Sequence, residues 1–81
     1  MNFTKEFKSS NIKITMTMRE TRHDTAVFSV QVFKNDRLIK ITTEPYEIVS
    51  NDKKAESINF EIVCMDRFCE IIRNKEKHGI N

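Results

Sequence analysis

Strict alternation of apolar and polar residues is the feature that most constrains this fold. In residues 12–19, Ile or Met takes every even position and Lys, Thr or Arg every odd one. In residues 26–32, Ala, Phe and Val again take the even positions. Successive side chains in a strand point to opposite faces, so a period of two is typical of a strand with one buried face. The pattern therefore predicts two strands that share an apolar face.

A two-residue hairpin turn is predicted at Asn35-Asp36, because Asn and Asp tolerate the positive φ that such a turn requires. This turn leads into a third strand that ends before Pro45. Cross-strand partners share a face, so the turn fixes which residues meet. The expected pairs are Phe33 with Leu38, Val32 with Ile39 and Val30 with Ile41, and, between the first two strands, Ile12 with Val32, Ile14 with Val30 and Met16 with Phe28.

A long C-terminal helix is predicted over residues 51–77, capped by one of the polar residues at 50–52. Its apolar stripe is unusually wide, about 200° of the helix circumference against the roughly 100° that covers a sheet. We expect one part of the stripe to cover the sheet, and the surplus to form a homodimer or partner surface. The first part holds Ile58, Ile62, Met65, Cys69 and Ile72, and the surplus holds Phe60, Cys64, Phe68 and Ile71.

The predicted fold is α+β, a three-stranded antiparallel meander (residues 11–43) packed by the long helix (51–77), in a single small domain over 1–81. Residues 1–10 are expected to form a short turn of helix packed by Phe3 and Phe7. One alternative stays open. Residues 58–64 also alternate, and would give a fourth strand followed by a short helix from Asp66 to Lys77.

Composition excludes several classes of function. With one Gly and one Pro in 81 residues, the chain has no glycine-rich phosphate loop and no dinucleotide fingerprint, so no cofactor is expected. The net charge of +2 provides no general basic coat for nucleic acid. No apolar run approaches the roughly 18 residues of a membrane span. Two cysteines without a secretory signal favour a reducing cytoplasm, that of the host cell if a phage encodes the chain.

The residues that resemble a reactive site are expected to be inert. Cys64 and Cys69 point about 140° apart on a helix, which suits neither a disulfide nor a shared metal, so we expect two buried free thiols and no metal site. His23 adjoins Asp24 in the loop between the first two predicted strands. Adjacent loop residues without a converging nucleophile or second carboxylate are not a catalytic constellation. The chain is therefore not expected to be an enzyme.

Three places are candidates for partner binding. A charged loop tip with Arg22 and His23 is a suitable contact device on a rigid hairpin. Phe33 and Leu38 point outward beside the hairpin turn as an exposed apolar pair. The surplus of the helical stripe, with Phe68 and Ile71, is the third.

Two short segments give the chain a resemblance to the double-stranded-RNA-binding domain. "TRHDTAVFSVQVF" places His23 in the loop before an aromatic-led strand, and "NDKKAES" places Lys53 and Lys54 near the start of the last helix. The resemblance implies that these residues contact duplex RNA. Such domains recognise the shape of A-form RNA. The Gly-Pro that precedes the histidine in that family is absent here. Apart from the resemblance, Lys13 and Arg19 of the outward sheet face are expected to supply basic contacts to phosphate or to an acidic protein.

The function expected from the sequence is that of a small non-catalytic protein that binds another macromolecule. The Asn-, Lys- and Ile-rich composition favours a phage or mobile-element accessory protein that inhibits or modulates a host or defence protein. The alternative is an RNA-binding module of the kind that the resemblance implies. No membrane partner is expected.

Overall fold

The computed structural model describes residues 1–22 and 25–80, which form one antiparallel sheet and one long helix. The strands pair in sequence order as β1-β2-β3-β4. The α+β class and the long C-terminal helix are confirmed, with four strands in place of the three expected. The elements are β1 (Asn2–Ser9), β2 (Ile12–Glu20), β3 (Ala26–Lys34), β4 (Arg37–Tyr46) and α1 (Lys53–Arg73).

The additional strand is β1, where a short turn of helix was expected. Phe3, Lys5 and Phe7 alternate with exposed residues, and all three are half-buried on the side of α1. Phe3 stacks on Phe60 at 5.4 Å between ring centroids, and Phe7 stacks on Phe68 at 4.4 Å. These two stacks stabilise residues 2–9 as a strand, because the period of two in a strand places both rings on the side that faces α1. Residues 58–64 are helical, so the alternative position for a fourth strand was wrong.

The turn between β3 and β4 is confirmed, but the strand registers differ from those expected. Asn35 and Asp36 have φ of 52° and 65°, and Phe33 pairs with Leu38. Between β2 and β3, Ile14 pairs with Val32, which is a shift of two residues. A shift of two leaves every side chain on its expected face, so the alternating pattern cannot detect it.

A bulge in β4 overturns the expected pairs beyond the turn. Val32 faces Lys40 rather than Ile39, because Ile39 is an extra residue on the β4 side. An extra residue reverses the faces of everything that follows it. Ile41 therefore lies opposite Gln31 on the side of the sheet away from α1, and not in the core with Val30.

Helix α1 begins at a cap and ends earlier than expected. The Asp52 carboxylate accepts a hydrogen bond from the Ala55 amide at 3.2 Å, which satisfies one of the free N–H groups of the first turn. The helix ends at Arg73 rather than residue 77. Residues 74–80, here the C-terminal turn, then bend back toward the sheet and bury Ile80 in the core. Lys40 of β4 donates to the Lys77 carbonyl at 3.3 Å and ties this turn to the sheet.

The part of the apolar stripe that faces the sheet is opposite to the expected one. Phe60, Cys64 and Ile71 are buried, whereas Ile58, Ile62 and Met65 are exposed. The physical reason lies in β1, whose two phenylalanines offer stacking partners to Phe60 and Phe68. The core joins both layers and consists of Ile12, Ile14, Met16, Met18, Ala26, Phe28, Val30, Val32, Tyr46, Phe60, Cys64, Ile71 and Ile80.

Candidate docking surfaces

The face of the sheet away from α1, here the outer face, is a regular grid of side chains. Helix α1 packs on the other face, and the residues described include no second helix to cover this one. The strand registers arrange the outer face in four rows across β1, β2, β3 and β4. From the hairpin end these are Lys8–Lys13–Phe33–Leu38, Glu6–Thr15–Gln31–Ile41, Thr4–Thr17–Ser29–Thr43 and Asn2–Arg19–Val27–Pro45.

One corner of the outer face is apolar. Leu38 is 46% exposed and Ile41 is 54% exposed, and with half-buried Phe33 they form a contiguous surface, here the sheet patch. The Lys13 ammonium lies 4.5 Å from the centroid of the Phe33 ring, within the range of a cation–π contact. Lys8 lies in the same row of the outer face, and Lys34 and Arg37 pair with each other at the hairpin end, on the side of the sheet that carries Ile12. The sheet patch is therefore apolar with a basic border.

A shallow depression extends from the sheet patch across the middle of the outer face. Its volume is about 360 Å³, and its lining includes Ile41, Gln31, Ser29 and Thr17. The depression forms because Thr17 and Ser29 have short side chains, whereas the residues of the sheet patch have longer ones. The depression can accommodate side chains of a docked protein, since interfaces combine an apolar centre with polar groups that supply hydrogen bonds.

A second apolar surface runs along α1 on the side away from the sheet. Ile58 is 58% exposed, Ile62 57% and Met65 48%, and Cys69 is also exposed. With half-buried Ile72 these five residues form the helix ridge. Their spacing of four, three, four and three residues repeats every seven, which is the spacing of apolar residues in packed helix pairs.

The described chain has one fully buried charged side chain, Glu56, and its role is structural. Its carboxylate accepts four hydrogen bonds, from the Tyr46 hydroxyl at 2.6 Å, the Val49 and Ser50 amides at 2.8 and 3.0 Å, and the Asn59 side chain at 3.0 Å. Burial raises the pKa of this carboxyl, but the hydrogen bonds outweigh burial and hold it below its ordinary value. The carboxylate thus joins the segment before α1 to the end of β4.

The members of this cluster are hydrogen-bonded to one another. Burial, followed by the hydrogen bond to Glu56, raises the pKa of the Tyr46 hydroxyl above its ordinary value. A cleft of about 330 Å³ lies alongside, and the ion pair of Arg67 with Glu44 occupies its wall. Arg67 also lies 5.6 Å from the Phe28 ring centroid. Among the described residues, no group of three His, Cys, Asp or Glu side chains could hold a metal ion.

The cysteines lie on opposite sides of α1. Cys64 is buried in the core and Cys69 is exposed on the helix ridge, so the expectation of two buried thiols is wrong for Cys69. Burial raises the pKa of the Cys64 thiol to about 12. Both thiols are free.

The structure separates the residues predicted to bind a partner. Phe33 and Leu38 lie together on the outer face, as expected. Ile71 is 1% exposed and belongs to the core, so it cannot present a surface to a partner in this fold. Phe68 is half-buried in its stack with Phe7. Arg22 is exposed after β2, and His23 lies outside the described residues.

The described residues predicted to bind nucleic acid fall into two groups. Lys53 and Lys54 are exposed at the start of α1. Lys13 and Arg19 lie on the outer face, six residues apart along β2, which is about 20 Å for an extended chain. The sheet separates these groups, and the position of a first helix is taken by β1.

Sequence reasoning missed Ile41 and the exposed side of α1. Ile41 was expected in the core, and its exposure follows from the bulge at Ile39. Phe3 and Phe7 are four residues apart, a spacing that suits a strand as well as a helix, so the sequence alone decides neither β1 nor which side of α1 is buried.

Comparison with known proteins gives no match to a family model, to a curated protein or to a solved structure. In the described part of the chain, no helix is both long and apolar enough to cross a membrane.

Proposed function

We propose that this is a non-catalytic binding protein whose outer sheet face docks on another protein. The observation that carries the proposal is the sheet patch, where Phe33, Leu38 and Ile41 form an apolar corner on an uncovered sheet face. Contiguous apolar side chains on a surface, with polar residues around them, are typical of protein–protein contact sites. The saturated Glu56 cluster supports a binding role over catalysis.

The border of the sheet patch indicates the chemistry of the partner. Lys8 and Lys13 share the row of Phe33 and Leu38, Lys34 and Arg37 add positive charge at the hairpin end, and Asp36 and Glu6 are the acidic side chains nearby. A complementary protein surface has an apolar centre with Asp or Glu at its border, since complementary charge steers association and fixes orientation. Docking covers the partner's surface and so inhibits or modulates it. In this proposal the partner is a host or defence protein, and the chain is a phage or mobile-element accessory protein.

Affinity capture with variants that introduce a negative charge tests this proposal. Ile41→Asp places a carboxylate in the sheet patch, and Thr4→Asp places one elsewhere on the outer face as a matched control. We expect the wild type and Thr4→Asp to capture the same protein from nuclease-treated host lysate. The amount that Ile41→Asp captures should be at least about 10-fold lower. Equal capture by both variants, or no specific capture by the wild type, would contradict the proposal.

Duplex RNA binding is a second candidate, and one observation favours it. The Glu20–Ala26 and Ala26–Tyr46 pairs place the β2–β3 loop and the end of β4 at one end of the sheet. Only residues 47–52 separate β4 from α1, so exposed Lys53 and Lys54 lie near the same end as Arg22. These cations could together contact phosphates across a groove.

A gel-shift experiment separates this candidate from protein docking. RNA binding predicts that a duplex is retarded, that retardation weakens steeply with salt, and that Lys53→Glu with Lys54→Glu abolishes it. Ile41→Asp should leave RNA binding unchanged. Absence of any shift at low salt excludes the RNA candidate and leaves the protein-docking proposal standing.

A further inference from the structure

The helix ridge continues one position beyond its five residues. Counting back by three from Ile58 leads to Ala55, which is exposed in the first turn of α1. The six positions from Ala55 to Ile72 therefore alternate in steps of three and four residues on one side of the helix. This side points away from the sheet, because the buried residues Phe60, Cys64 and Ile71 lie on the opposite side. A surface of this kind fits the corresponding surface of another helix.

We propose that the helix ridge binds the helix ridge of a second copy of this chain, with the two helices antiparallel about a two-fold axis. In this register Ala55 lies opposite Ile72 of the second copy, Ile58 opposite Cys69, and Ile62 opposite Met65. Each of these contacts occurs twice by symmetry, as required of a two-fold interface. All six ridge positions then meet an apolar residue of the second copy, and Ala55, the smallest of them, lies opposite the larger Ile72.

Charges beside the ridge select the antiparallel orientation. In a parallel pair, Glu61 of each copy would lie beside Asp66 of the other, which places like charges together twice. In the antiparallel register, Asp66 lies beside Asn59 of the other copy instead. Asp52 at the start of one helix then lies beside Arg73 at the end of the other. The orientation therefore removes two repulsive contacts and creates two attractive ones.

Every ridge position before Ile72 is exposed in the monomer, and Ile72 is half-buried. The C-terminal turn bends toward the sheet, where Ile80 is buried and the Lys77 carbonyl accepts from Lys40. Folding on the sheet already holds α1 helical, which spares the dimer the cost of ordering the helix. From Ala55 to Ile72 the ridge spans 18 residues, and their 17 steps of about 1.5 Å give a length of about 26 Å. So short a contact predicts a weak, concentration-dependent dimer.

The dimer would present two sheet patches on opposite sides. Each sheet lies behind its own helix, so pairing of the helices leaves both outer faces pointing outward. If the proposed function of the outer face holds, the dimer is a bivalent binder with increased avidity for a partner that displays two sites. The dimer itself does not depend on that function, because the ridge and the sheet patch share no residue.

Sedimentation equilibrium tests the dimer with a matched pair of variants. Ile62→Lys and Ile41→Lys replace isoleucines of nearly equal exposure, 57% and 54%, on the ridge and on the sheet patch. We expect the wild type and Ile41→Lys to approach twice the monomer mass as concentration rises, and Ile62→Lys to remain monomeric with an unchanged circular dichroism spectrum. A wild type that stays monomeric to about 1 mM, or equal association by both variants, overturns the proposal and leaves the function of the outer face untouched.

Disulfide trapping tests the orientation. In the antiparallel register the two Cys69 residues are offset by 11 residues, about 16 Å, too far for a disulfide. Under mild oxidation we expect no cross-link in the wild type, a linked dimer in Ile58→Cys, and no cross-link in Ile58→Cys/Cys69→Ser. A wild-type dimer linked through Cys69 would indicate parallel helices and overturn the proposed orientation. So would failure of Ile58→Cys to cross-link at concentrations where it sediments as a dimer.

Discussion

The two sides of helix α1 are similar in apolar character but different in what they contact. Phe60, Cys64 and Ile71 pack against the sheet, whereas Ile58, Ile62 and Met65 face solvent. The difference comes from the aromatic side chains, because Phe60 and Phe68 find stacking partners on β1. Hydrophobicity alone therefore shows that a helix has two apolar sides, and the shapes of the opposing residues decide which side builds the core.

The largest expected difference between the two sides is in folding stability. Phe60→Ala should lower the free energy of unfolding by about 3–5 kcal/mol, because it leaves a cavity where Phe3, Phe28 and Tyr46 now contact one ring. Ile62→Ala should change it by less than about 0.5 kcal/mol, as is usual for exposed positions. Urea unfolding at a low protein concentration, where the chain is monomeric, measures both. Equal losses would mean that both sides contribute to the core.

The buried side also carries a polar attachment that the ridge lacks. Glu56→Gln keeps the size of the side chain but replaces one of the two acceptor oxygens with an NH2 group, which only donates. The remaining oxygen cannot accept from the Val49 and Ser50 amides on one side and also from the Tyr46 hydroxyl on the other. We expect a loss of about 2 kcal/mol, since hydrogen bonds to charged groups contribute about 1.5–3 kcal/mol. Glu61→Gln is the control, because its side chain is 62% exposed. A neutral result for Glu56→Gln would contradict the structural role of the cluster.

The same carboxylate should make stability depend on pH. Hydrogen bonds hold the pKa of Glu56 below its ordinary value, and the hydrogen bond from His78 does the same for Glu70. A lowered carboxyl pKa contributes stability that is present above pH 4.5 and is lost as the pH falls further. The thermal unfolding midpoint should therefore fall as the pH is lowered below 4.5, and it should fall less steeply in Glu56→Gln. A flat profile for the wild type would count against both interactions.

Among the single changes, the smallest measurable loss is expected at the start of α1. Asp52→Ala removes the side chain that accepts from the Ala55 amide and should cost about 1 kcal/mol. Asp52→Asn retains an acceptor and should restore most of the loss. If urea unfolding shows no difference between Asp52→Ala and Asp52→Asn, the cap does not contribute to stability.

Local patterns predicted much of this fold. The alternation of β2 and β3, the turn at Asn35-Asp36 and the long helix all follow from periodicity and turn chemistry within short segments. The facing of Phe33 and Leu38 followed from the turn alone, which is why these two residues of the candidate site were placed correctly.

The remainder depended on contacts between distant segments. The shift of two residues between β2 and β3 preserves every face, so periodicity cannot detect it. The bulge at Ile39 has no marker in the sequence and moves Ile41 from the core to the outer face. The side of α1 that is buried depends on Phe3 and Phe7, about 60 residues away in the chain.

Thiol modification of the native protein tests most directly which side of α1 faces the sheet. Cys64 and Cys69 lie on opposite sides of the helix, one buried and one exposed. With an excess of iodoacetamide at neutral pH, we predict rapid modification of Cys69 alone, and modification of Cys64 only after unfolding in urea. Faster modification of Cys64, or equal rates for the two thiols in the folded protein, would contradict the account of the two sides of this helix.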